Sequence, residues 1–249
     1  ANLLADTETF SEYRLRGTAD GRGEVAAQGV RGSYEVRPGL TLAPSLERID
    51  TISGPDSGDG LSVSLGVVDH RDDNARRRVR LETRRGNDSD FYGLSGSWVS
   101  RLDTDWSVAV REELRLDLQQ RARNAVNQVL TLGLARRPRR DNDHHILLLY
   151  QWEKDRGASG VDRDVHLFST HQNREIGSSL IVSGRAGFKL ASTEVAGVEV
   201  ETDAAILDGR VIHELTDRID LDLHGCLLAT EGFNELRYAF GAGVGMLVR

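Results

Sequence analysis

The sequence predicts an all-β protein, specifically an antiparallel up-and-down transmembrane β-barrel of about 14 strands. First, the last stretch, from Leu236 to Arg249, alternates apolar side chains with small or polar ones for more than ten residues. A strand of about 9–11 residues with one unbroken apolar face is what crossing a lipid bilayer requires. Second, similar alternation recurs along the chain, interrupted by the Gly, Asp and Asn clusters of a β-meander. Third, the second face of these strands is densely charged with both signs, as a polar lumen is.

Composition narrows the class further. The chain has 249 residues and a formal net charge of -7, and we expect residues 1–249 to form a single outer-membrane barrel domain. No apolar run approaches the roughly 18 residues of a transmembrane helix. One cysteine, Cys226, excludes an internal disulfide and a multi-cysteine metal site. Because the acidic balance leaves no sustained basic face, we expect no nucleic-acid partner.

The amino-terminal half supplies six strand candidates, each with its own two-residue period or turn signal. The second candidate ends at the tight turn Arg37-Pro38-Gly39, and Pro44 in the third predicts a bulge or an edge. In the later ones, apolar residues such as Leu65 and Val79 alternate with Ser, Arg or Glu. The six candidates are Ser11–Gly17, Glu24–Val36, Leu40–Ile52, Leu61–Val67, Arg78–Arg84 and Phe91–Leu102.

The remaining eight candidates show the same alternation. The clearest begins at Trp106, where valines and leucines alternate with Ser, Ala, Arg, Glu and Asp; Glu112 breaks its apolar face. The eight candidates are Trp106–Leu118, Val126–Leu134, His145–Lys154, Val165–Glu175, Leu180–Leu190, Val198–Leu215, Ile219–Leu227 and Leu236–Arg249.

The connections predict which way the strands run. Barrels of this type alternate long extracellular loops with short periplasmic turns. The longer connections are Ile52–Gly60, Arg85–Asp90, Gln119–Ala125, Arg156–Asp164 and Ala191–Gly197. The short turns lie at Arg37–Gly39, Asp103–Asp105, Gly177–Ser179 and Thr216–Arg218. This rhythm predicts a chain that starts on the periplasmic side.

The alternation assigns side chains to two environments. The charged face predicts the residues that line the lumen: Arg78, Arg80, Glu82, Arg111, Glu113, Arg115, Asp117, Arg185, Lys189, Glu199, Glu201, Asp203, Asp220, Asp222 and His224. The apolar face predicts the residues that face lipid: Val108, Val110, Leu130, Leu132, Leu148, Trp152, Phe188, Leu221, Leu223, Tyr238, Phe240 and Val244.

The arginine cluster is the strongest concentration of charge; it comprises Arg76, Arg77, Arg78, Arg80, Arg84 and Arg85. We expect it to form ion pairs across the lumen with Glu82, Glu113 and Asp117. The alternative is that it attracts anions in a pore, or contacts lipopolysaccharide at the outer rim.

Catalytic chemistry is not indicated. Ser169, His171 and Asn173 share a strand face, but neighbours two apart on a strand lie about 7 Å apart, too far for a nucleophile–base hydrogen bond. The pair His144-His145 follows three polar residues in a predicted turn, where at most one ring could join a given metal site. We therefore expect no enzymatic activity, no cofactor and no metal.

Several phrases resemble a known family. They are Thr9–Gly17 (TFSEYRLRG), Pro38–Thr41 (PGLT), Leu46–Arg48 (LER), Leu207–Val211 (LDGRV) and Leu215–Arg218 (LTDR). The chain resembles, over nearly its whole length, the carboxyl-terminal barrel of very large repeat-containing surface proteins of Gram-negative bacteria. That resemblance implies an outer-membrane anchor for a surface-exposed region, with lipid, lipopolysaccharide and that region or other surface proteins as partners. It also implies further strands after Arg249, about sixteen in an intact parent, so we expect the chain to be truncated. The chain start lacks the features of a signal peptide.

Three other functions stay open. The first is a porin-like diffusion channel for small solutes. The second is a membrane-embedded hydrolase, which needs a catalytic triad that the sequence does not show. The third is a soluble β-rich binding module.

Overall fold

The chain folds almost entirely into β-strands. The computed structural model describes residues 6–18, 21–53, 59–86, 89–119, 123–138, 144–157, 160–216, 219–231 and 235–246. Within these ranges, no helix is long and apolar enough to span a membrane. The strands are β1 Thr7–Thr18, β2 Gly21–Gly32, β3 Tyr34–Arg37, β4 Leu40–Ser53, β5 Gly60–Asp72, β6 Ala75–Gly86, β7 Ser89–Arg101, β8 Trp106–Gln119, β9 Ala125–Arg136, β10 His144–Arg156, β11 Val161–Ile176, β12 Leu180–Val195, β13 Val198–Thr216, β14 Ile219–Thr230 and β15 Glu235–Met246.

Each strand pairs with its neighbours in chain order. The hydrogen-bonded path runs from β1 through β2 and β4 to β15, and β3 pairs with β4 off this path. The path therefore holds fourteen strands, and the predicted all-β, antiparallel, up-and-down class is confirmed. The prediction differed at Glu24–Val36, which is two strands: β2 ends at Gly32, and β3 turns back at Gly39 (φ 78°) to form a short hairpin with β4.

The strands group into two compact units. Unit 1 comprises Ala1–Val99, Arg111–Val129 and Asp155–Val161, and unit 2 comprises Ser100–Val110, Leu130–Lys154 and Asp162–Arg249. Each unit is described by itself below. The single-domain assignment stays a prediction.

In unit 1, burial is the reverse of that in a water-soluble sheet. Along β5, Ser62 and Ser64 are each 5% exposed, whereas Leu61, Val63 and Leu65 are 51%, 46% and 45% exposed. Ser62 and Ser64 are therefore covered, and Leu61, Val63 and Leu65 are presented outward. In water such an exposed apolar face would cost about 25 cal/mol for each Å² that could have been buried, so this arrangement suits an apolar solvent.

In unit 2, the register of β12 to β15 sorts side chains onto two faces. On one face, Phe188 opposes Ala205, Leu223 opposes Val211, and Leu221 opposes Val244. On the other face, Arg185 opposes Asp208 and Arg210 opposes His224. Charged and apolar side chains thus separate by strand alternation alone in this part of the unit.

The hairpin of β12 and β13 is longer than a membrane crossing. The two strands contain 16 and 19 residues, and at about 3.3 Å per residue the longer one extends roughly 60 Å. Register continues without interruption to the pair Val195 and Val198. The predicted connection Ala191–Gly197 is therefore wrong, because it is strand except for a two-residue turn. The predicted connection Arg85–Asp90 likewise overlaps strand at both ends, because β6 extends to Gly86 and β7 begins at Ser89.

The turn residue Ala196 has φ 53° and Gly197 has φ 80°, the signs that a type I′ hairpin turn needs at both central positions. Alanine is disfavoured there by roughly 1–2 kcal/mol because its Cβ approaches the following carbonyl oxygen. We expect Ala196→Gly to raise the free energy of unfolding by up to about 1 kcal/mol, measured by urea denaturation in lipid vesicles. The matched control, Ala204→Gly inside β13, should lower it, since glycine weakens a strand. Equal effects at both positions would contradict the turn assignment.

Candidate functional site

The charged face of unit 1 is a row-by-row arrangement across five strands. We define it by Glu8, Arg31, Glu47, Ser62, Ser64, Arg80, Glu82 and Arg84. Register aligns Glu8, Arg31, Ser45, Ser64 and Glu82 in one row across the sheet. The next row contains Phe10, Gly29, Glu47, Ser62 and Arg84. These two rows line much of a cavity of about 760 Å³.

Ion pairs within a strand and between neighbouring strands hold this charged face. Glu82 contacts Arg80 at 3.4 Å and Arg84 at 3.5 Å, and it accepts a 3.4 Å hydrogen bond from Ser62. Arg31 donates to Glu8 and, at 3.4 Å, to Glu12. Because most of these groups are partly exposed, each pair contributes little to stability by itself. Together, these side chains fill part of the 760 Å³ cavity with alternating positive and negative charges.

A second cluster on β8 repeats this arrangement. Glu113 contacts Arg111 and, at 3.5 Å, Arg115. Two members of this cluster, Glu113 and Arg115, line a cavity of about 690 Å³. The other residues that line it include Arg80, Glu82, Arg84, Phe91, Ser95 and Asp117. Of the arginine cluster, Arg80 and Arg84 pair with Glu82 of their own strand rather than across the lumen as predicted, and Glu113 is likewise held by arginines of its own strand.

Strand alternation splits the arginine cluster between the two faces of β6. Arg78, Arg80 and Arg84 line the 760 Å³ cavity. Arg77 and Arg85 alternate with them, and register sets Arg77 beside Asp69 and Arg85 beside Leu61. Arg77 contacts Asp69 at 3.7 Å. The six arginines are consequently not one patch, which the sequence run alone did not reveal.

The charged face of unit 2 comprises Arg185, Lys189, Asp208, Arg210, Asp220, Asp222 and His224. Arg210 donates from Nε and one terminal nitrogen to the two oxygens of Asp222, at 2.9 and 2.7 Å. This bidentate geometry is the strongest form of arginine–carboxylate contact. The guanidinium and carboxylate thereby join two neighbouring strands, β13 and β14.

The glycines of β15 make room for this charged face. A Cβ placed on Gly241 would overlap the imidazole of His224, and one on Gly245 would overlap the carboxylate of Asp220. At Gly243 the nearest atom would be the Cβ of Asp222 at an ordinary 3.9 Å. The alternating glycines thus form a floor across which side chains of β14 lie.

Three predicted lumen residues do not lie on the charged face of unit 2. Register places Glu199, Glu201 and Asp203 opposite Glu194, Ser192 and Leu190, on the same face as Phe188. They cannot share an environment with Arg185 and Lys189, so this part of the lumen prediction is wrong. They lie at the beginning of the long strand β13, before the apolar residues Ala205 and Leu207 of the same face. A strand longer than the bilayer is thick can place such charged residues in water while the rest of the face contacts lipid. Alternation showed that these three residues share one face of the strand, but not which of the two faces it is.

The predicted lipid-facing residues form coherent surfaces. Val108, Leu132, Leu148 and Phe188 line a common apolar groove of about 690 Å³. Of the others, Leu221, Leu223, Tyr238, Phe240 and Val244 share one face of β14 and β15 by register. By alternation Val110 lies on the same face as Val108, Leu130 on that of Leu132, and Trp152 on that of Leu148. Their contact with lipid stays a prediction.

A polar cluster at the end of this apolar surface was missed from the sequence. Tyr150 Oη and His166 Nδ1 are 2.9 Å apart, and the Trp152 indole donates to Asp164 at 2.8 Å. Lys154 contacts Asp164 at 3.7 Å. The signal was present in the order Leu148, Tyr150, Trp152, Lys154, which passes from apolar to aromatic to cationic along one face. This order is typical of a membrane interface.

The turn between β7 and β8 has a carboxylate that caps backbone amides. Asp103 accepts hydrogen bonds from the Asp105 and Trp106 amides at 2.7 and 2.8 Å. These two amide donors lower the pKa of Asp103 below its ordinary value. The bonds explain why Asp103–Asp105 is a tight turn, as predicted.

The candidate catalytic groups are not assembled. Ser169, His171 and Asn173 lie along β11, with His171 and Asn173 exposed. Within the described ranges no group of three or more His, Cys, Asp or Glu side chains could hold a metal ion. Of the histidine pair, both residues begin β10, while Asp141–Asp143 lies outside the described residues.

The glycine floor gives a test of the unit 2 site. We expect Gly241→Ala to lower the free energy of unfolding by about 1–3 kcal/mol, because the new methyl group displaces His224. Gly243→Ala should change it by less than about 0.5 kcal/mol. In a protein that already carries His224→Ala, we expect Gly241→Ala to lower the free energy of unfolding much less, because the imidazole that it would displace is gone. The parent and the four variants are compared by urea denaturation followed by circular dichroism. An equally large loss in the His224→Ala protein would contradict the proposed contact.

Comparison with known proteins gives structural neighbours. No protein-family model matches the chain, and no curated protein matches it. It is similar to a loop-deletion form of OmpT, an outer membrane protein of Vibrio cholerae, at 10% identity over 97% of each chain (TM-score 0.46). It is also similar to a bacterial polysaccharide outer membrane secretin, at 8% identity over 92% of this chain and 79% of that one (TM-score 0.49). A third similar structure is an anion-selective porin from Comamonas acidovorans, at 12% identity over 97% of this chain and 95% of the porin chain (TM-score 0.40). Because these TM-scores lie below 0.5, the function of the chain has to be inferred from its own residues.

Proposed function

We propose that this chain is an outer-membrane β-barrel that anchors, and helps export, a large surface-exposed region. The observation that carries the membrane part is the reversed burial on β5, where serines are covered and leucines are exposed. In lipid an outward apolar face is stable, and every backbone polar group can pair with a neighbouring strand. The proposal includes no catalytic role.

The apolar face of unit 1 has a height near that of the apolar band of a transmembrane barrel. Register sets Arg48, Leu61 and Arg85 in one row, and Asp69 and Arg77 in another. The two rows are separated by eight residues of β5, or about 26 Å along the strand. Between them on β5 lie Val63, Leu65 and Val67 alone on that face. An outward apolar band about 25 Å tall is typical of transmembrane barrels, and strand tilt shortens the present distance somewhat.

The charged faces favour an anchor over an open channel. Glu82 and Glu113 are each flanked by two arginines, and Arg210 is bidentate with Asp222. The cavity of about 760 Å³ is lined by four arginines and four carboxylates, and the cavity of about 690 Å³ by three of each, so little unbalanced charge remains for solute selection. The resemblance to the barrels of repeat-containing surface proteins is the reason for proposing that the chain anchors a surface-exposed region.

A porin-like channel is the second candidate function. The charged cavities of about 760 and 690 Å³ favour it.

Adjacent residues of β7 test the membrane assignment. Leu94 is exposed and lines the apolar groove with Leu61 and Leu114, whereas Ser95 lines only the charged cavity. We expect Leu94→Arg to cost about 2–4 kcal/mol near the bilayer midplane and to reduce insertion into lipid vesicles. Ser95→Arg should insert as the parent does, because the new side chain lies in a charged cavity, lined by three carboxylates and three arginines, and not in the apolar groove. The inserted fraction is measured after refolding into vesicles, as the share of the protein that resists added protease and whose electrophoretic mobility changes on heating.

The opposite pattern would contradict the membrane assignment. A water-soluble sheet would tolerate Leu94→Arg at an exposed position, and the purified chain would stay monodisperse without detergent.

A reporter domain tests the anchoring role. When the chain is produced in a Gram-negative host behind a secretion signal, we expect a reporter fused before Ala1 to become accessible to protease added outside intact cells. In planar bilayers the chain alone should show a low or closed conductance. A reporter retained inside the cell, together with a steady large conductance, would instead establish the channel.

A further inference from the structure

The tip of the hairpin of β12 and β13 extends past the strand that follows it. β14 pairs with β13 only from Ala204 onward. One further backbone hydrogen bond, 3.0 Å long, joins the Glu231 amide to the Asp203 carbonyl. Among the described residues, the segment 198–202 of β13 therefore pairs with β12 on one side and with no strand on the other.

This open edge presents the backbone hydrogen-bonding groups of two residues. The two-residue turn between Val195 and Val198 makes them the first cross-strand pair of the hairpin, which exchanges both of its backbone hydrogen bonds. Hydrogen-bonded and non-hydrogen-bonded pairs alternate along an antiparallel ladder. The N–H and C=O groups of Glu199 and Glu201 therefore point away from β12. The contact from β14 agrees with this pattern, since it reaches the carbonyl of Asp203, the next residue of the same series.

One face of the open edge is acidic. Register and alternation set the side chains of Glu199, Glu201 and Asp203 on the same face as Glu194 of β12. Glu199 accepts a hydrogen bond from the Ser192 hydroxyl at 2.6 Å. Within the part of the chain that the structure describes, none of these four carboxylates forms an ion pair. The edge consequently carries negative charge that this chain does not neutralise by direct contact.

The opposite face of the same segment is apolar and exposed. Val198 is 63% exposed and Val200 is 55% exposed, and Val195 of β12 is 47% exposed on the same face. In water, covering such side chains contributes about 25 cal/mol for each Å² of apolar area. A sheet edge that combines unpaired backbone groups with apolar side chains is a template for a further strand.

We propose that this edge binds an extended segment of a second polypeptide in which cationic residues alternate with apolar ones. The added strand hydrogen-bonds to the backbone of Glu199 and Glu201, sets its cations opposite their carboxylates and covers Val198 and Val200. Strand addition takes its affinity from the main chain and its specificity from alternate side chains. The inference goes beyond the proposed function and rests on it only for the position of this end of the hairpin, in water outside the apolar band.

The carboxylates argue against a second copy of this chain as the occupant. Because outward-pointing backbone groups pair with each other, two such edges would set Glu199 or Glu201 of one copy opposite a carboxylate of the other. Like charges directly opposite each other destabilise a pair of strands. A cationic segment instead gains a favourable cross-strand pair at each carboxylate.

Peptide binding to the refolded full chain in a non-ionic detergent tests the proposal. The probe is a fluorescent peptide in which lysine alternates with valine, and fluorescence anisotropy measures its Kd. We expect Glu199→Gln/Glu201→Gln to weaken binding about three- to thirtyfold, because two cross-strand pairs of opposite charge are lost. The matched control, Glu175→Gln/Glu214→Gln, removes two exposed carboxylates outside this edge and should leave the Kd unchanged. An equal loss in both double variants would overturn the proposal.

Two changes to backbone donors test strand addition itself. Glu201→Pro removes an outward N–H but no hydrogen bond to β12, an arrangement that edge strands tolerate. We therefore expect it to weaken binding more than Glu201→Gln does. The lysine–valine peptide N-methylated on its edge-facing amides should bind the unaltered chain at least about tenfold more weakly, a result that does not depend on how a variant folds.

Control peptides separate strand addition from simple charge attraction. A peptide of the same composition with its lysines grouped together should bind at least about tenfold more weakly than the alternating one. Equal binding by the grouped or the N-methylated peptide would overturn the proposal. No measurable binding of the alternating peptide would overturn it too, and would leave the carboxylates with the role of keeping the edge unpaired. A chain that stays monodisperse without detergent would instead contradict the outer-membrane proposal.

Discussion

The structure depends on a reversal of the usual burial rule. On β5 the serines are covered and the leucines and valine between them are exposed. A strand can do this without local strain, because successive side chains point to opposite faces whatever solvent each face meets. The reversal fixes the rest of unit 1: charged residues must converge on the covered side, and the outward side must be apolar over the height of the bilayer.

Once charges converge, they have to be neutralised at close range. The chain does so with short-range pairs, such as Glu82 between Arg80 and Arg84, and with the bidentate contact of Arg210 and Asp222. Small residues on the same surfaces provide the space. Gly241 does this for His224, just as Ser62 both fits beneath the charged rows and donates to Glu82. Charge and residue size are therefore matched across neighbouring strands.

The edges of the apolar band carry a different chemistry from its centre. In unit 1, arginines stand at both edges, with Arg48 and Arg85 at one and Arg77 at the other. In unit 2, Trp152 and Tyr150 bridge from the apolar groove to Asp164 and His166. Aromatic and cationic side chains suit an interface because they join an apolar body to a hydrated or anionic head. The long hairpin of β12 and β13 shows that strand pairing itself does not stop at such an edge.

The sequence by itself determined the strand class, the approximate strand number and most face assignments, because a two-residue period is a local property that Leu221, Asp222 and Leu223 display without any partner. It could not determine where lipid ends along a strand, and so Glu199, Glu201 and Asp203 were assigned to the wrong face. Nor could it show that Arg77 contacts Asp69 or that Arg210 is bidentate with Asp222. Those facts depend on register between strands, which pairs residues distant in sequence. Only the tertiary structure decides register, because it is set by how whole strands pack together.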